Sequence, residues 1–307
     1  MNDICIDILM STYNGEKYIK NQIFSLQQQT HTNWKLYIRD DGSRDNTVKI
    51  INKFLNDERI HIITDNLGNL GVAKSFFSLL KYSTSDWVIF CDQDDIWFEK
   101  KLEILLTEGK KNLDPTLPSL VYCDASLYDD KQGVVVRNSI QRLNALSLKE
   151  FLFLNSGYQG SSVLFNRKLA DFAKEYKRDF FMHDDIISLI AFTFGNVYFV
   201  QKSLMLYRQH DKNVTGNLVL NKINIIKQFF NTTSPVLSKK HYLEKKEFFS
   251  AFSHKLPKYE KELYSAYLKY PECSFFQRIM IILKYDFSLG GLRIPLLLKS
   301  ILRKPLL

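Results

Sequence analysis

Residues 86–95 read Asp-Trp-Val-Ile-Phe-Cys-Asp-Gln-Asp-Asp, a nearly continuous apolar run that ends in three carboxylates. An apolar run without alternation is typical of a central strand that is buried on both faces. Carboxylates this close together repel one another, which is costly at the end of a buried strand unless a cation is present. Asp92 and Asp94 are therefore candidate ligands of Mg²⁺ or Mn²⁺, whereas Asp95 fits the cap of the helix predicted to follow.

Strand and helix patterns alternate on both sides of this segment. Alternation with short connections predicts an α/β fold, in which a mostly parallel sheet is covered on both faces by helices. Ligands of such sheets bind at the carboxyl ends of the strands, so the loops after the strands form the candidate site. The predicted strands are 5–10, 34–39, 60–64, 86–91 and 119–123, and the predicted helices are 17–28, 45–56, 72–82 and 98–110.

The alternation weakens after residue 125. Strands are predicted at 162–165, 196–200 and 204–208, and helices at 147–154, 167–176 and 184–192. We interpret this part as the acceptor-side half of one domain that spans residues 1–217. Residues 218–307 contain helical stretches interrupted by prolines and a Gly-Gly pair, which predicts a helical C-terminal extension.

The net charge of +9 is concentrated in that extension. Residues 218–307 carry 16 Lys and Arg against 6 Asp and Glu, whereas residues 1–217 carry 26 against 27. A near-neutral core argues against a nucleic-acid groove, so no nucleic acid is expected as a partner. Basic residues interleaved with apolar ones over 275–307 predict helices that lie on an anionic membrane surface. The alternative is that these apolar faces pack on the core or in a homodimer.

The sequence also predicts the compartment. No basic N-terminal stretch precedes an apolar one, and no 18 apolar residues follow one another, so neither a signal peptide nor a transmembrane helix is expected. The four cysteines match no zinc spacing and are expected to be reduced thiols. These features predict a cytoplasmic protein, peripheral on the inner face of the cell membrane if the extension binds lipid.

Four other segments carry candidate chemistry. Ser11-Thr12-Tyr13-Asn14-Gly15 follows the first strand and Asp40-Asp41-Gly42-Ser43 follows the second. His183-Asp184-Asp185 precedes a helix, where a carboxylate either accepts a proton from a hydroxyl or caps the helix. Tyr207-Arg208-Gln209-His210 ends a strand, where His210 is either a metal ligand or a structural residue.

Taken in order, these motifs resemble a known family. Residues 10–19 and 39–47 look like the opening of family 2 glycosyltransferases. Asp92-Gln93-Asp94-Asp95-Ile96-Trp97 and Tyr207-Arg208-Gln209-His210 resemble the rhamnosyltransferase-like branch of that family. The resemblance covers residues 4–217, and four motifs in one order are more specific than any motif alone.

The resemblance implies a GT-A fold, a bound Mg²⁺ or Mn²⁺, and an inverting transfer of one sugar. The donor would be a UDP- or dTDP-sugar, and the acceptor a hydroxyl of a glycan or lipid-linked glycan in bacterial cell-surface polysaccharide synthesis. The implied roles are nucleotide binding for Thr12, Tyr13 and Asn14, base recognition for one of Asp40 and Asp41, donor-sugar binding for Asp92 and Gln93, metal ligation for Asp94 and His210, and general base for Asp184.

Two alternatives stay open at this point. A metal-dependent sugar nucleotidyltransferase would also use a sheet and paired carboxylates, but 11–15 offers a single glycine and no basic residue for a phosphate loop. A glycoside hydrolase would also pair carboxylates.

If the protein belongs to the family it resembles, two features leave the choice of base open. Asp185 is a second carboxylate beside Asp184, and His183 replaces the more usual Glu, so the base could be either aspartate. The Gln-x-x-Arg-Trp signature of processive synthases is absent, which favours addition of one sugar at a time.

Overall fold

A computed structural model describes residues 4–140, 144–154, 158–210 and 234–306. Nine strands within these residues form one mixed sheet. They are β1 (Ile6–Thr12), β2 (Trp34–Asp40), β3 (Ile60–Ile63), β4 (Trp87–Cys91), β5 (Ile96–Trp97), β6 (Leu120–Asp129), β7 (Val134–Arg137), β8 (Val163–Asn166) and β9 (Val197–Gln209).

The strand order is β3-β2-β1-β4-β8-β6-β9-β5, with β7 paired to β6. The first four strands in this order are parallel, so β1, β2 and β4 all end at the same edge. β8 joins antiparallel to β4, and the rest of the sheet mixes both directions. The predicted candidate loops therefore meet at one edge, as expected for a parallel sheet.

The predicted central strand is confirmed, since every residue of β4 is buried. Its side chains alternate between two hydrophobic clusters, with Val88 and Phe90 in one cluster and Trp87, Ile89 and Cys91 in the other. Alternate side chains of a strand point to opposite faces, so the sheet is covered on both sides.

The helices in the described residues are α1 (Ile19–Gln27), α2 (Thr47–Ile51), α3 (Val72–Leu79), α4 (Lys101–Asn112), α5 (Leu148–Phe151), α6 (Arg167–Lys174), α7 (His183–Phe194), α8 (Lys239–Phe252), α9 (Lys258–Lys269), α10 (Phe275–Tyr285) and α11 (Arg293–Leu302). Several predicted helices are shorter than expected, and two differ most. The helix expected over 45–56 is α2 followed by a 3-10 turn, and the helix expected over 147–154 is α5 alone.

The break predicted between two strands near residue 202 was wrong. The strands expected at 196–200 and 204–208 form the single strand β9, which runs parallel to β6. The exposed pair Gln201-Lys202 breaks the apolar pattern, but the backbone continues through register shifts opposite residues 123–126 of β6. Such irregularities bend a strand without ending it.

The C-terminal helices share a core with the sheet. Phe248, Tyr264, Ile282 and Leu296 are buried in the same cluster as Phe90. The predicted boundary at 217/218 lies outside the described residues, and the division into two domains stays a prediction. One side of the C-terminal extension therefore packs on the core. This is what the packing alternative predicted for part of its apolar residues.

Candidate active site

A cavity of 1020 Å³ opens at the edge where β1, β2 and β4 end. It brings together eight of the predicted site residues, which are Tyr13, Asn14, Asp41, Asp92, Gln93, Asp94, Asp184 and His210. Thr12 and Asp40 are not among the residues that line it. All five candidate segments therefore converge in space, although they are far apart in sequence.

Thr12 and Asp40 lie beneath the cavity and hold its loops. Thr12 is fully buried, and its Oγ1 donates to the Asp40 carboxylate at 2.9 Å. The same carboxylate accepts the backbone N–H groups of Gly42 at 3.2 Å and Ser43 at 2.8 Å. These contacts fix the turn after β2 to the end of β1. The nucleotide-binding roles implied for Thr12 and Asp40 stay predictions.

Asp41 is buried and anchors a second loop. Its carboxylate forms an ion pair with Arg39 and accepts the backbone N–H groups of Leu70 at 2.8 Å and Gly71 at 2.9 Å. Arg39 also binds Asp65 at 2.9 Å, so its buried charge is compensated by two carboxylates. Asp40 and Asp41 thus both have partners within the protein, but only Asp41 lines the cavity.

Gln93 clamps the backbone of Tyr13. Tyr13 N–H donates to Gln93 Oε1 at 3.0 Å, and Gln93 Nε2 donates to the Tyr13 carbonyl at 3.1 Å. A Cβ at Gly15 would lie 2.1 Å from Gln93 Oε1, so the clamp needs glycine at this position. The Tyr13 side chain is 48% exposed and stands on the cavity wall, where an aromatic face can stack on a ligand.

The three acids after β4 have different environments. Asp95 is buried, and its carboxylate accepts Ser161 Oγ at 2.8 Å and Arg208 N–H at 3.3 Å. The prediction that Asp95 caps the next helix was wrong, because α4 begins at Lys101 and Asp95 instead ties three segments of the core together. Asp92 and Asp94 are partly exposed and line the cavity.

Asp94 pairs with His210, as the metal prediction required. His210 Nε2 lies 2.8 Å from Asp94 Oδ2, and the imidazole stacks on Tyr18 with ring centroids 4.6 Å apart. Arg208 Nε donates to the Asp94 carbonyl at 2.8 Å, which holds the end of β9 against the acidic loop. Carboxylate and imidazole therefore present two adjacent ligand atoms at the cavity wall.

Burial and the neighbouring charge of Asp94 raise the pKa of Asp92 to about 7. Asp92 is therefore partly protonated near neutral pH when no cation is bound. A cation beside the two carboxylates would lower this pKa by favouring the charged form. The two carboxylates thus repel each other, as their spacing in the sequence predicts, and metal binding at this place stays a prediction.

Asp184 lies in the first turn of α7 and lines the same cavity. Burial raises its pKa well above the ordinary carboxyl range, and the charges of Asp185 and Asp92 act in the same direction. A carboxylate with a raised pKa is a stronger base than an exposed one. Asp184 thus has the position and the electrostatics of a general base.

Asp185 is buried and does not line the cavity. It lies 3.4 Å from His241 Nδ1 on α8, and the same nitrogen lies 3.9 Å from Glu244. Glu244 accepts the Phe181 N–H at 2.8 Å. This arrangement separates the two aspartates, with Asp184 facing the cavity and Asp185 facing the C-terminal helices.

Asp185, His241 and Glu244 were not predicted as a group, because no local pattern relates α7 to α8. Among the residues that the structure describes, they form the one cluster of three or more His, Cys, Asp or Glu with ligand atoms within 4.8 Å of one another. Burial and the charge of Asp185 raise the pKa of Glu244 to about 8, so a protonated Glu244 can donate to Asp185. A shared proton is thus one way to hold these three side chains together.

We expect His241→Ala to alter the site through Asp185. Burial acts to raise the pKa of Asp185, and the hydrogen bond and charge of His241 hold it below the ordinary value. Without His241, Asp185 should take up a proton more readily and repel Asp184 less. The acid limb of the pH–turnover profile should then move to lower pH, and the free energy of unfolding should fall by about 1–3 kcal/mol.

The control for this change is His254→Ala, because His254 lies on the same extension and is exposed. It should alter neither the pH profile nor the unfolding free energy. A His241→Ala protein that is destabilised but keeps the acid limb in place would mean that His241 only supports the fold.

His183 is almost fully buried and forms part of the cavity wall. Its ring stacks on Phe76 at 4.2 Å and meets the edge of Phe90 at 4.8 Å. Burial lowers the pKa of His183 to about 3, so the neutral ring accepts a proton poorly and is a weak candidate for the base. Gly160 stands over this ring, and a Cβ there would lie 2.6 Å from His183 Nε2 and 3.6 Å from the Asp184 Cβ.

We expect Gly160→Ala to lower turnover by about tenfold or more, because His183 is wedged between two rings and the added methyl must displace the turn that carries Asp184. Donor affinity should change little. Combining Gly160→Ala with His183→Ala should cost less than the sum of the single losses, since the clash is removed. Additive losses, measured as turnover at saturating donor, would contradict this account.

Comparison with known proteins identifies the family of this chain and supports its fold. The family described as "Glycosyl transferase family 2" matches residues 7–171. The chain is 29% identical to the dTDP-rhamnosyl transferase RfbG of Shigella flexneri over 223 residues, which are 67% of this chain and 73% of that protein. It is 38% identical over 112 residues to the UDP-Glc:alpha-D-GlcNAc-diphosphoundecaprenol beta-1,3-glucosyltransferase WfgD of Escherichia coli, which are 36% of this chain and 44% of that protein.

A solved structure supports the fold assignment. S. aureus TarS 1-349, crystallised with UDP-GlcNAc, matches with a TM-score of 0.60 and 15% identity, covering 92% of this chain and 73% of that chain. At this identity the match concerns the fold alone, and it confirms the predicted GT-A architecture. Because the family match covers more than half of the chain, this protein belongs to the family 2 glycosyltransferases.

Proposed function

We propose that the protein is an inverting, metal-dependent glycosyltransferase that moves one sugar from a nucleotide-diphosphate sugar to an acceptor hydroxyl. The observation that carries this proposal is the position of Asp184 and of the Asp94–His210 pair on the walls of one cavity. A transferase of this type needs a site for the leaving diphosphate and a base for the acceptor. The cavity supplies candidate residues for both.

The residues fit a divalent cation. Asp94 and His210 offer a carboxylate oxygen and an imidazole nitrogen 2.8 Å apart. Asp92 lines the same cavity and senses the charge of Asp94, but its ligand atoms do not lie within 4.8 Å of both partners, so it would join a cation only after a side-chain shift or through water. A cation bound by few side chains completes its coordination with water and substrate phosphate oxygens. When bound, Mg²⁺ or Mn²⁺ would stabilise the negative charge that develops on the leaving nucleotide diphosphate.

Asp184 would accept the proton of the acceptor hydroxyl. The hydroxyl oxygen then attacks the anomeric carbon from the side opposite the diphosphate, the bond to the diphosphate breaks, and configuration inverts. Tyr13 and Asn14 on the β1 loop and Asp41 on the β2 loop would hold the nucleotide, and the Gln93 clamp would keep the first loop in place. These roles follow from position on the cavity wall and from the family resemblance.

The relatives suggest the substrates. Their names include a dTDP-rhamnosyl transferase and an enzyme that acts on UDP-Glc and a diphosphoundecaprenol-linked sugar. We therefore propose a UDP- or dTDP-sugar donor and a glycan or lipid-linked glycan acceptor, in bacterial cell-surface polysaccharide synthesis. The lack of a processive signature favours transfer of one sugar in each reaction.

The test is incubation of the pure protein with a panel of UDP- and dTDP-sugars, with Mg²⁺, Mn²⁺ or EDTA, while nucleotide diphosphate release is measured. Release that depends on metal and increases with a matched acceptor would support the proposal. Anomeric configuration of the product, read by NMR, tests inversion. Formation of a nucleotide sugar from sugar phosphate and nucleoside triphosphate, with pyrophosphate release, would instead indicate a nucleotidyltransferase.

A further inference from the structure

The two last helices each bury one side and expose the other. α10 buries Ile282 and α11 buries Leu296, both in the cluster that continues under the sheet. Their outer sides carry an unusual number of exposed apolar side chains. These are Phe275, Phe276, Met280 and Leu283 on α10, Leu292 just before α11, and Ile294, Leu298 and Ile301 on α11. We call this set the C-terminal face.

Both helices repeat the same spacing on this face. Phe276, Met280 and Leu283 are 79%, 64% and 45% exposed, and they follow one another at i, i+4 and i+7. On α11, residues 294, 298 and 301 have the same spacing and are 70%, 39% and 56% exposed. This spacing places each set on one side of a helix, so the apolar side chains form two stripes. Contiguous apolar stripes in water mark a surface that contacts something else.

The charges around the stripes have one sign. Residues 275–306 contain six Lys and Arg and a single acid, Asp286. That acid is paired with Lys149 and lies 2.7 Å from Arg293. Lys284, Arg293 and Lys304 are exposed. The C-terminal face therefore combines apolar stripes with exposed cations and an excess of positive charge.

We propose that the C-terminal face docks on an anionic lipid bilayer, with both helices lying in the plane of the interface. Apolar side chains at the level of the acyl chains and cations at the level of the headgroups are what such a surface recognises. Within the described residues, no helix is long and apolar enough to cross a membrane. The stripes can therefore enter only the outer part of one leaflet.

The charge argues against a second copy of the chain as the occupant. A two-fold contact through this face would place the same patch against itself, so the exposed cations of one copy would face those of the other. Like charges brought together at an interface oppose association, whereas an anionic bilayer supplies the opposite sign. The charge of this face thus favours an anionic bilayer over a second copy, and docking of this kind does not depend on the catalytic site.

The test is co-sedimentation of the full-length protein with vesicles of phosphatidylcholine, with or without phosphatidylglycerol. Binding is expected on vesicles that contain phosphatidylglycerol at low salt, with release at high salt and weak binding to phosphatidylcholine alone. Light scattering of the protein without lipid gives its oligomeric state in the same buffers.

Two charge variants are matched. Lys284→Glu with Lys304→Glu changes the C-terminal face, and Lys110→Glu with Lys111→Glu makes the same charge change at exposed positions at the end of α4. The first pair should weaken vesicle binding by about tenfold or more. The second pair should weaken it much less, because it lies outside the face. Equal losses would mean that total charge, not this face, attracts the lipid.

Two apolar variants are matched in the same way. Met280→Ser with Ile294→Ser shortens both stripes, whereas Val134→Ser with Val135→Ser removes exposed apolar side chains from β7. Only the first pair should reduce binding, and neither should lower the unfolding temperature, since all four side chains are exposed. Failure of the folded protein to sediment with anionic vesicles, or a dimer that the first pair converts to monomer, would overturn the proposal.

Discussion

Asp94→Ala is expected to abolish sugar transfer, with a fall in turnover of about three orders of magnitude or more. Asp94 lies 2.8 Å from His210 and beside Asp92 on the cavity wall, so its removal takes away the central candidate ligand. Nucleotide binding, measured by calorimetry with Mn²⁺ and with EDTA, should lose its dependence on metal. His210→Ala should also lower turnover, but by less, because a carboxylate is the ligand that Mg²⁺ and Mn²⁺ prefer.

The electrostatics provide a readout other than activity. The charge of Asp94 helps to raise the pKa of Asp92 to about 7, so Asp94→Ala should lower that pKa towards the ordinary range. The variant should not unfold more easily, since repulsion between two carboxylates is relieved. Asp171→Ala, which removes an exposed carboxylate from α6, is the control and should leave turnover and metal dependence unchanged. Near-normal turnover of Asp94→Ala with added metal would refute the metal assignment.

The sequence was informative where the chemistry is local. The loop after β4, the loops after β1 and β2 and the turn before α7 were all placed from residues that are neighbours in the chain. Parallel strands then bring these loops to one edge, which is why the convergence of Asp94 and Asp184 on one cavity could be expected. The apolar run of β4 predicted a central strand equally well, because a strand that is buried on both faces has no polar residue to interrupt the run.

The sequence was uninformative where one residue acts through a distant partner. Asp95 resembled a helix cap, but its partners Ser161 and Arg208 come from other parts of the sheet. Asp41 was a candidate for base recognition, but its carboxylate also accepts the backbone N–H groups of Leu70 and Gly71, 29 and 30 residues further along the chain. His241 lies on a helix whose sequence is typical of a basic surface, and only packing against α7 brings it to Asp185. None of these pairings has a local periodicity that could predict it.

Asp184→Asn is expected to lower turnover by about two to four orders of magnitude, the usual range for loss of a general base. The amide keeps the shape of the side chain and cannot accept the proton. Donor affinity should barely change, because the base acts on the acceptor. Because burial raises the pKa of Asp184, the wild-type acid limb should lie above the ordinary carboxyl range, and turnover should fall as the pH drops through it. In Asp184→Asn the residual turnover should lack this limb.

Asp185→Asn is the matched control, since it makes the same chemical change one residue away. Asp185 is 5% exposed and lies 3.4 Å from His241, so its loss should lower the free energy of unfolding while turnover of the folded fraction falls much less. Removing its charge should also lower the pKa of Asp184, which moves the acid limb to lower pH. The two aspartates thus differ in three measurable ways: turnover, stability and pH profile. If Asp185→Asn loses turnover and the acid limb while Asp184→Asn stays active, the proton acceptor is Asp185 and the cavity-facing position of Asp184 serves only to bind substrate.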